Sequence, residues 1–105
     1  MGLYEESYTA FAFETLTIDA TAGGIGCTSA TYQPSGGGAA ERAVLGPLES
    51  GQIRYNYDGT APTATTGHLL EVGDTLILLG LGNINLFRAI RTGGVSGTLP
   101  VTYER

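Results

Sequence analysis

The sequence predicts an all-β protein, a small antiparallel β-sandwich of six to seven short strands. Segments in which apolar and polar residues alternate recur along the chain, and turn residues separate them about every 8–12 residues. Glycine accounts for 17 of the 105 residues, which disfavours a helix-rich protein. No window carries apolar residues at helical spacing without an interrupting glycine or proline, which argues against a helical fold. Within the all-β class, a small barrel is the alternative architecture.

The first predicted strand runs from Thr9 to Asp19, where the sequence alternates over its whole length. Its two faces carry Phe11, Phe13, Thr15 and Thr17 on one side, and Ala12, Glu14, Leu16 and Ile18 on the other. Because both faces include apolar residues, we expect this strand to be covered on both sides for part of its length.

The middle of the chain predicts loops and two further strands. Residues 20–40 read as two glycine loops around a short edge strand in the segment TSATY, which Pro34 ends. A strand follows from Glu41 to Glu49, bent at Gly46-Pro47. Another runs from Gln52 to Tyr57, where alternation is regular.

The second half begins with a turn-rich loop at residues 58–68. A tight turn at residues 71–74 precedes a continuous apolar strand from Thr75 to Leu79, which we expect to be central in its sheet. Gly80 to Asn85 predicts a loop or a single helical turn.

Two strands close the chain. Leu86 to Thr92 alternates, and Gly93-Gly94 predicts a hairpin turn into a last strand from Gly97 to Tyr103. Since proline cannot donate a ladder hydrogen bond, Pro100 predicts that this strand lies at a sheet edge or carries a bulge.

Length and composition narrow the class of protein. A chain of 105 residues predicts one domain, here residues 9–105, preceded by an N-terminal arm of residues 1–8. The net charge of −5 argues against nucleic acid as a partner. The single cysteine excludes an intramolecular disulfide. We expect no membrane partner, because no apolar run approaches the roughly 18 residues of a spanning helix, and the acidic, polar start is unlike a secretory signal.

Few residues suit catalysis or metal binding. His68 is the sole histidine and adjoins the turn-rich loop, and Cys27 lies in a glycine loop without a neighbouring basic residue. Asp58, Glu71 and Asp74 lie near turns but lack the spacing of a calcium loop. We therefore predict no enzymatic activity, no metal and no cofactor.

Tyrosine and arginine are the candidate interface residues. All five basic residues are arginines, which reflects either a GC-rich coding genome or selection for planar contacts at interfaces. The six tyrosines include two in the arm, which we expect to contact a neighbouring subunit. The predicted interface residues are Tyr4, Tyr8, Tyr32, Arg54, Arg88 and Arg91.

The second half also resembles known families. The residues that carry the resemblance are Ile53, Tyr55, Asp58-Gly59, Pro62-Thr63 and Gly67, in the strand–turn pattern of small Ig-like modules typified by the chitobiase C-terminal domain. Together with residues 83–105, this half is similar to short virion-associated proteins of tailed bacteriophages. The resemblance covers about half the chain.

The resemblance implies an Ig-like sandwich and a non-enzymatic structural function in a bacteriophage virion. We expect a capsid decoration or cement protein on the outer head surface, whose partners are the major capsid protein or other virion proteins. A homo-oligomer, such as a trimer, would bring strand edges of neighbouring subunits together. The alternatives are a neck or tail accessory protein, or a carbohydrate-binding Ig-like module with Tyr32 and Tyr57 as an aromatic platform.

Overall fold

The alternating segments form seven strands and two short helices within residues 7–105, which are the residues described by the computed structural model. Tyr4 and most of the predicted arm lie outside the described residues. The strands are β1 (Ala10–Ile18), β2 (Arg42–Leu45), β3 (Ile53–Asn56), β4 (His68–Leu70), β5 (Leu76–Leu79), β6 (Arg88–Arg91) and β7 (Gly97–Glu104). The helices are α1 (Ser29–Tyr32) and α2 (Leu81–Leu86).

The strands form two antiparallel sheets, as the sequence predicts for a sandwich. Sheet A has the order β1-β7-β2-β5, and sheet B has the order β4-β3-β6. Each pairing is antiparallel. The predicted small antiparallel β-sandwich of seven strands is therefore confirmed over the described part of the chain.

The connectivity of these sheets is that of a jelly roll. Ile25 pairs with Ala89 in an isolated antiparallel bridge and so extends sheet B beyond β6. If Ile25 is counted as the second of eight strands, β2 to β7 become the third to the eighth strand in chain order. In that numbering sheet A has the order 1-8-3-6 and sheet B the order 2-7-4-5, as in jelly rolls. An immunoglobulin domain instead joins its first, second, fourth and fifth strands in one sheet. The protein therefore shares with immunoglobulin domains the packing of two sheets and the number of strands, but not the strand order.

The core lies between the sheets, because alternate residues of each strand point inward. In β7, Leu99, Val101 and Tyr103 are fully buried, while the residues between them are partly exposed. Sheet B contributes Ile53 and Ala89 from its inner face, and Phe87, just before β6, is buried in the same core. Removal of these apolar side chains from water is the main favourable term in forming the sandwich.

β5 is an edge strand, so its predicted central position is wrong. Among the strands of residues 7–105, β2 alone pairs with it, and Leu78 points into the core while Ile77 and Leu79 point outward. A central strand in a sheet covered on both faces would be apolar on both faces, which is why the sequence suggested one. Here the second apolar face is exposed.

β7 is central and its register with β1 is regular at Pro100, so the predicted edge position or bulge at Pro100 is also wrong. β7 lies between β1 and β2, and Pro100 is opposite Thr15. The Pro100 carbonyl accepts the Gly46 amide at 2.8 Å, so its backbone polar groups face the chain just beyond Leu45, the last residue of β2. The missing amide of proline therefore falls where the ladder with β2 has ended.

Two shorter segments also differ from prediction. The expected edge strand TSATY contains helix α1, in which the Tyr32 amide donates to the Thr28 carbonyl at 3.1 Å, and Ile25 takes the edge position instead. Gly93-Gly94 does not make a hairpin, because β6 and β7 belong to different sheets. Of the loop or helical turn predicted at Gly80–Asn85, the structure has the helical form, as α2, which also includes Leu86 from the predicted next strand.

Candidate binding face

The outer side of sheet A is an open face with few charges. Strand alternation places on it the residues between the buried positions of β1, β7, β2 and β5. We call this surface the open face; its residues are Phe13, Thr15, Thr17, Arg42, Val44, Ile77, Leu79, Thr98, Pro100, Thr102 and Glu104.

One row of the open face crosses the whole sheet. Register places Phe13 opposite Thr102, Thr102 opposite Val44, and Val44 opposite Ile77. Four neighbouring strands span roughly 14 Å at the usual strand spacing. The row ends in large apolar side chains on both edge strands, since Phe13 is 63% exposed and Ile77 is 53% exposed. Leu79, 58% exposed, extends the apolar surface along β5.

The charges on the open face neutralise one another. Within the described strands, Arg42 and Glu104 are the charged residues of this face, and the Arg42 guanidinium donates to the Glu104 carboxylate. The Arg42 guanidinium carbon also lies 4.2 Å from the centre of the Tyr8 ring. A partner covering this face therefore meets a paired cation and anion, which lowers the free energy of desolvation compared with two unpaired charges.

The outer side of sheet B, by contrast, is partly covered by the chain itself, although Leu69 of β4 is 41% exposed there. The Arg54 guanidinium donates to the carbonyls of Gly67 at 2.8 Å and Ala64 at 3.3 Å, which holds the loop after β3 against the sheet. Pro62 of that loop is buried, and Ile90 beside Arg54 is buried as well. Within residues 7–105 no such loop lies over the exposed apolar side chains of the open face, and such surface commonly marks an interaction site.

The predicted interface tyrosines fall in different places. Tyr8 lies at the rim of the open face through its contact with Arg42. Tyr32 is a core residue, 2% exposed, with its hydroxyl donating to Asn85 Oδ1 at 2.8 Å and its ring 5.7 Å from that of Tyr103. The prediction of Tyr32 as a surface contact, and as half of an aromatic platform with Tyr57, is wrong because α1 turns it inward.

The three predicted interface arginines lie on sheet B and hold their own chain. Arg54 secures the loop after β3, and Arg88 donates to the Phe87 carbonyl at 2.7 Å. Arg91 donates to the Ser96 hydroxyl at 3.3 Å. A planar guanidinium group with several N–H donors suits such bonds to carbonyl and hydroxyl oxygens. An additional role at an interface stays a prediction.

Sequence reasoning missed the residues that make the open face apolar. Phe13 and Ile77 were assigned to covered faces, because apolar residues on both sides of a strand suggest burial on both sides, and Val44 was assigned to no face. The signal was present in the runs AFAF and LILL, which leave apolar residues on the face opposite the core. Without the strand order, nothing distinguishes a second covered face from an open one.

The described residues offer weak candidates for catalysis. Burial raises the pKa of the Cys27 thiol to about 11, with the neighbouring Glu14 carboxylate adding to the effect. The thiolate is the nucleophilic form, so this thiol is poorly activated at neutral pH. Burial likewise raises the pKa of Tyr103, whose hydroxyl donates to Glu14. Within residues 7–105 no group of three His, Cys, Asp or Glu side chains could hold a metal ion.

We expect Cys27 to react slowly with thiol reagents in the folded protein. A pKa of about 11 instead of 9.0 lowers the thiolate fraction at pH 8 about a hundredfold, and the higher nucleophilicity of a more basic thiolate offsets about tenfold of that loss. Labelling by iodoacetamide should therefore be at least about tenfold slower in buffer than in 8 M urea. Equal rates in the two conditions would contradict the buried, protonated thiol.

The fold and the open face together define a class: a small jelly-roll sandwich with one uncovered sheet. Comparison with known proteins adds no family to this class, since no protein-family model, curated protein or solved structure matches the chain. Among the described residues, no helix has the length and apolar character needed to cross a membrane.

Proposed function

We propose that this protein is a non-enzymatic structural component of a tailed-bacteriophage virion, and specifically a capsid decoration protein. The open face of sheet A carries the proposal. It would seat against the outer head surface, with Phe13, Val44 and Ile77 buried in the contact. A neck or tail accessory protein would use the same face, and it remains the alternative location.

Three observations support this proposal. The open face is apolar in its central row and holds its two charges as a pair, so burying it costs little desolvation. The jelly-roll strand order recurs in viral capsid domains, an analogy at the level of the fold. The acidic charge of −5 disfavours contact with packaged DNA and suits the outside of a shell.

The proposed mechanism is stabilisation by mass action. A decoration protein that binds assembled subunits and not dissociated ones shifts the equilibrium toward the shell. β1 and β5 are the edge strands of sheet A in the described part of the chain and flank the open face, and in a ring of copies one edge could pair with the next. Such a homo-oligomer, a trimer among the closed forms, would cover a symmetric set of capsid subunits.

The test is the copy number of this protein in purified virus particles. Quantitative mass spectrometry would compare it with the major capsid protein. We expect on the order of hundreds of copies, because an icosahedral shell repeats each binding site many times. About six to a few dozen copies would place the protein at the neck or tail. Complete absence from particles would overturn the virion function.

A further inference from the structure

A small pocket opens at the end of sheet B, where β3 passes into the loop that follows it. The pocket has a volume of about 250 Å³ and is lined by Asn56, Tyr57, Asp58 and His68. These residues belong to sheet B and its loop, so the pocket is separate from the open face of sheet A. The proposed virion function does not use it.

One side of the pocket is a fixed aromatic surface. Tyr57 is 39% exposed, and its ring centre lies 6.3 Å from that of Tyr55 and 6.1 Å from that of His68. Tyr55 in turn lies 5.9 Å from Phe87, which is fully buried. This stack anchors Tyr57 to the core, so a ligand that packs on its ring does not have to immobilise it.

The rings form a platform and not a cage. Tyr57 is inclined by 23° to Tyr55 and by 31° to His68, so the three rings are closer to parallel than to perpendicular. A quaternary ammonium ion is favoured by several rings that surround it. A platform instead suits a ligand with one flat, apolar face.

The polar atoms beside the platform are mainly acceptors. Asn56 Nδ2 donates to the Thr60 carbonyl at 3.3 Å, and Asp58 Oδ1 accepts the Thr60 amide at 2.9 Å. The Asp58 carboxylate, which Thr60 contacts through its amide and its side chain, and Asn56 Oδ1 still have lone pairs that can accept hydrogen bonds from a ligand. The Thr60 hydrogen bonds lower the pKa of Asp58, so its carboxylate is ionised at neutral pH.

We infer that this pocket binds a pyranose ring of a saccharide. The apolar face of the sugar would pack on Tyr57, and two of its hydroxyls would donate to Asp58 Oδ2 and Asn56 Oδ1. An aromatic surface with a few fixed polar groups is the usual composition of a small-ligand site. A planar guanidinium is the competing ligand, since it too would stack on Tyr57, but the Thr60 hydrogen bonds to Asp58 compete with a bidentate pair to that carboxylate.

The test is titration of the whole protein with methyl glycosides of glucose, galactose, mannose and N-acetylglucosamine, followed by amide chemical shifts. We expect saturable shifts at residues 56–58 and 68 with at least one glycoside, at a Kd on the order of 1 mM. No saturable shift up to about 50 mM with all four would overturn the inference. Saturable shifts with arginine methyl ester alone would overturn it too, in favour of a basic side chain.

Matched variants test whether the glycoside binds in this pocket. Tyr57→Ala should weaken glycoside binding at least about tenfold, whereas Tyr57→Phe, which keeps the ring, should stay within about threefold. Val72→Ala removes an exposed apolar side chain from the turn between β4 and β5, at the end of β4 away from His68, and should leave glycoside binding unchanged. If Tyr57→Ala does not fold, Asp58→Asn serves instead, since it keeps the acceptor for Thr60; unchanged affinity in the folded variant would overturn the assignment. The titration needs no virus particles, so its outcome is independent of the proposed virion function.

Discussion

Ile77→Arg is expected to lower the affinity of this protein for virus particles lacking it at least about a hundredfold. Ile77 ends the apolar row of the open face, so under the proposed function a guanidinium there would be buried in the contact, and Glu104, the carboxylate of this face within the described strands, is already paired with Arg42. Leaving a buried charge unpaired costs about 3–5 kcal/mol, which exceeds the 2.7 kcal/mol of a hundredfold change. The measurement is co-sedimentation with such particles over a range of protein concentrations.

The matched control is Val95→Arg. Val95 is 62% exposed, similar to Ile77, but it lies in the connection between β6 and β7 and not on the open face. Both variants add one positive charge to an exposed aliphatic position, so both should fold with little loss of stability. We expect Val95→Arg to bind within about threefold of the unmodified protein. Normal binding by Ile77→Arg would show that the open face is not the contact.

Gly51→Ala is expected to lower the free energy of unfolding by about 3 kcal/mol or more. Gly51 has a φ of +67°, where a side chain is strained, and a methyl group there would lie 2.5 Å from the Val95 carbonyl oxygen and 2.6 Å from that of Ser96. Both carbonyls are backbone, so relief requires moving the chain. Urea unfolding gives the stability change directly.

Gly36→Ala separates the clash from the backbone strain. Gly36 has a similar φ of +79°, but a methyl group there would meet no atom within 4 Å. This variant should therefore lose only the strain of a left-handed residue, about 1 kcal/mol. Equal losses in the two variants would mean that the contact with residues 95–96 has no energetic role.

The position of Gly51 explains why that contact matters. The segment after β2 carries the chain from sheet A to sheet B, and residues 92–96 carry it back from β6 to β7. The two crossings meet where Ser50 pairs with Thr98, joined by hydrogen bonds from the Thr98 amide to the Ser50 carbonyl and between the two hydroxyls. Displacing this point would disturb both sheets together.

Local pattern predicted which segments are strands. β1, β3 and β6 lie within predicted segments, because alternation and β-branched content are properties of a few consecutive residues. β2 likewise lies within a predicted segment, and it ends before Gly46-Pro47. The failure at α1 is also local: four residues are too few for either period to emerge, and the burial of Tyr32 on Tyr103 decides the outcome.

The order of the strands could not be predicted in the same way. Pro100 indicates an edge by the general rule, yet β7 is central because its unpaired position falls just past the end of β2. β5 indicates a central strand by composition, yet it is an edge. The outcomes depend on which strands are neighbours and on where the neighbouring strand ends, and a short window of sequence contains neither.

For the binding surfaces, too, some properties follow from the sequence and others only from the tertiary structure. The sequence by itself determined that the chain is acidic, lysine-free, rich in tyrosine and built of short strands, because composition and alternation are written residue by residue. Only the tertiary structure decided that Phe13, Val44 and Ile77 share one row, that Tyr32 is buried, and that Tyr57 meets His68. The physical reason is that hydrogen-bonded register joins residues far apart in sequence, and the choice of neighbouring strand determines whether an apolar face is covered or open.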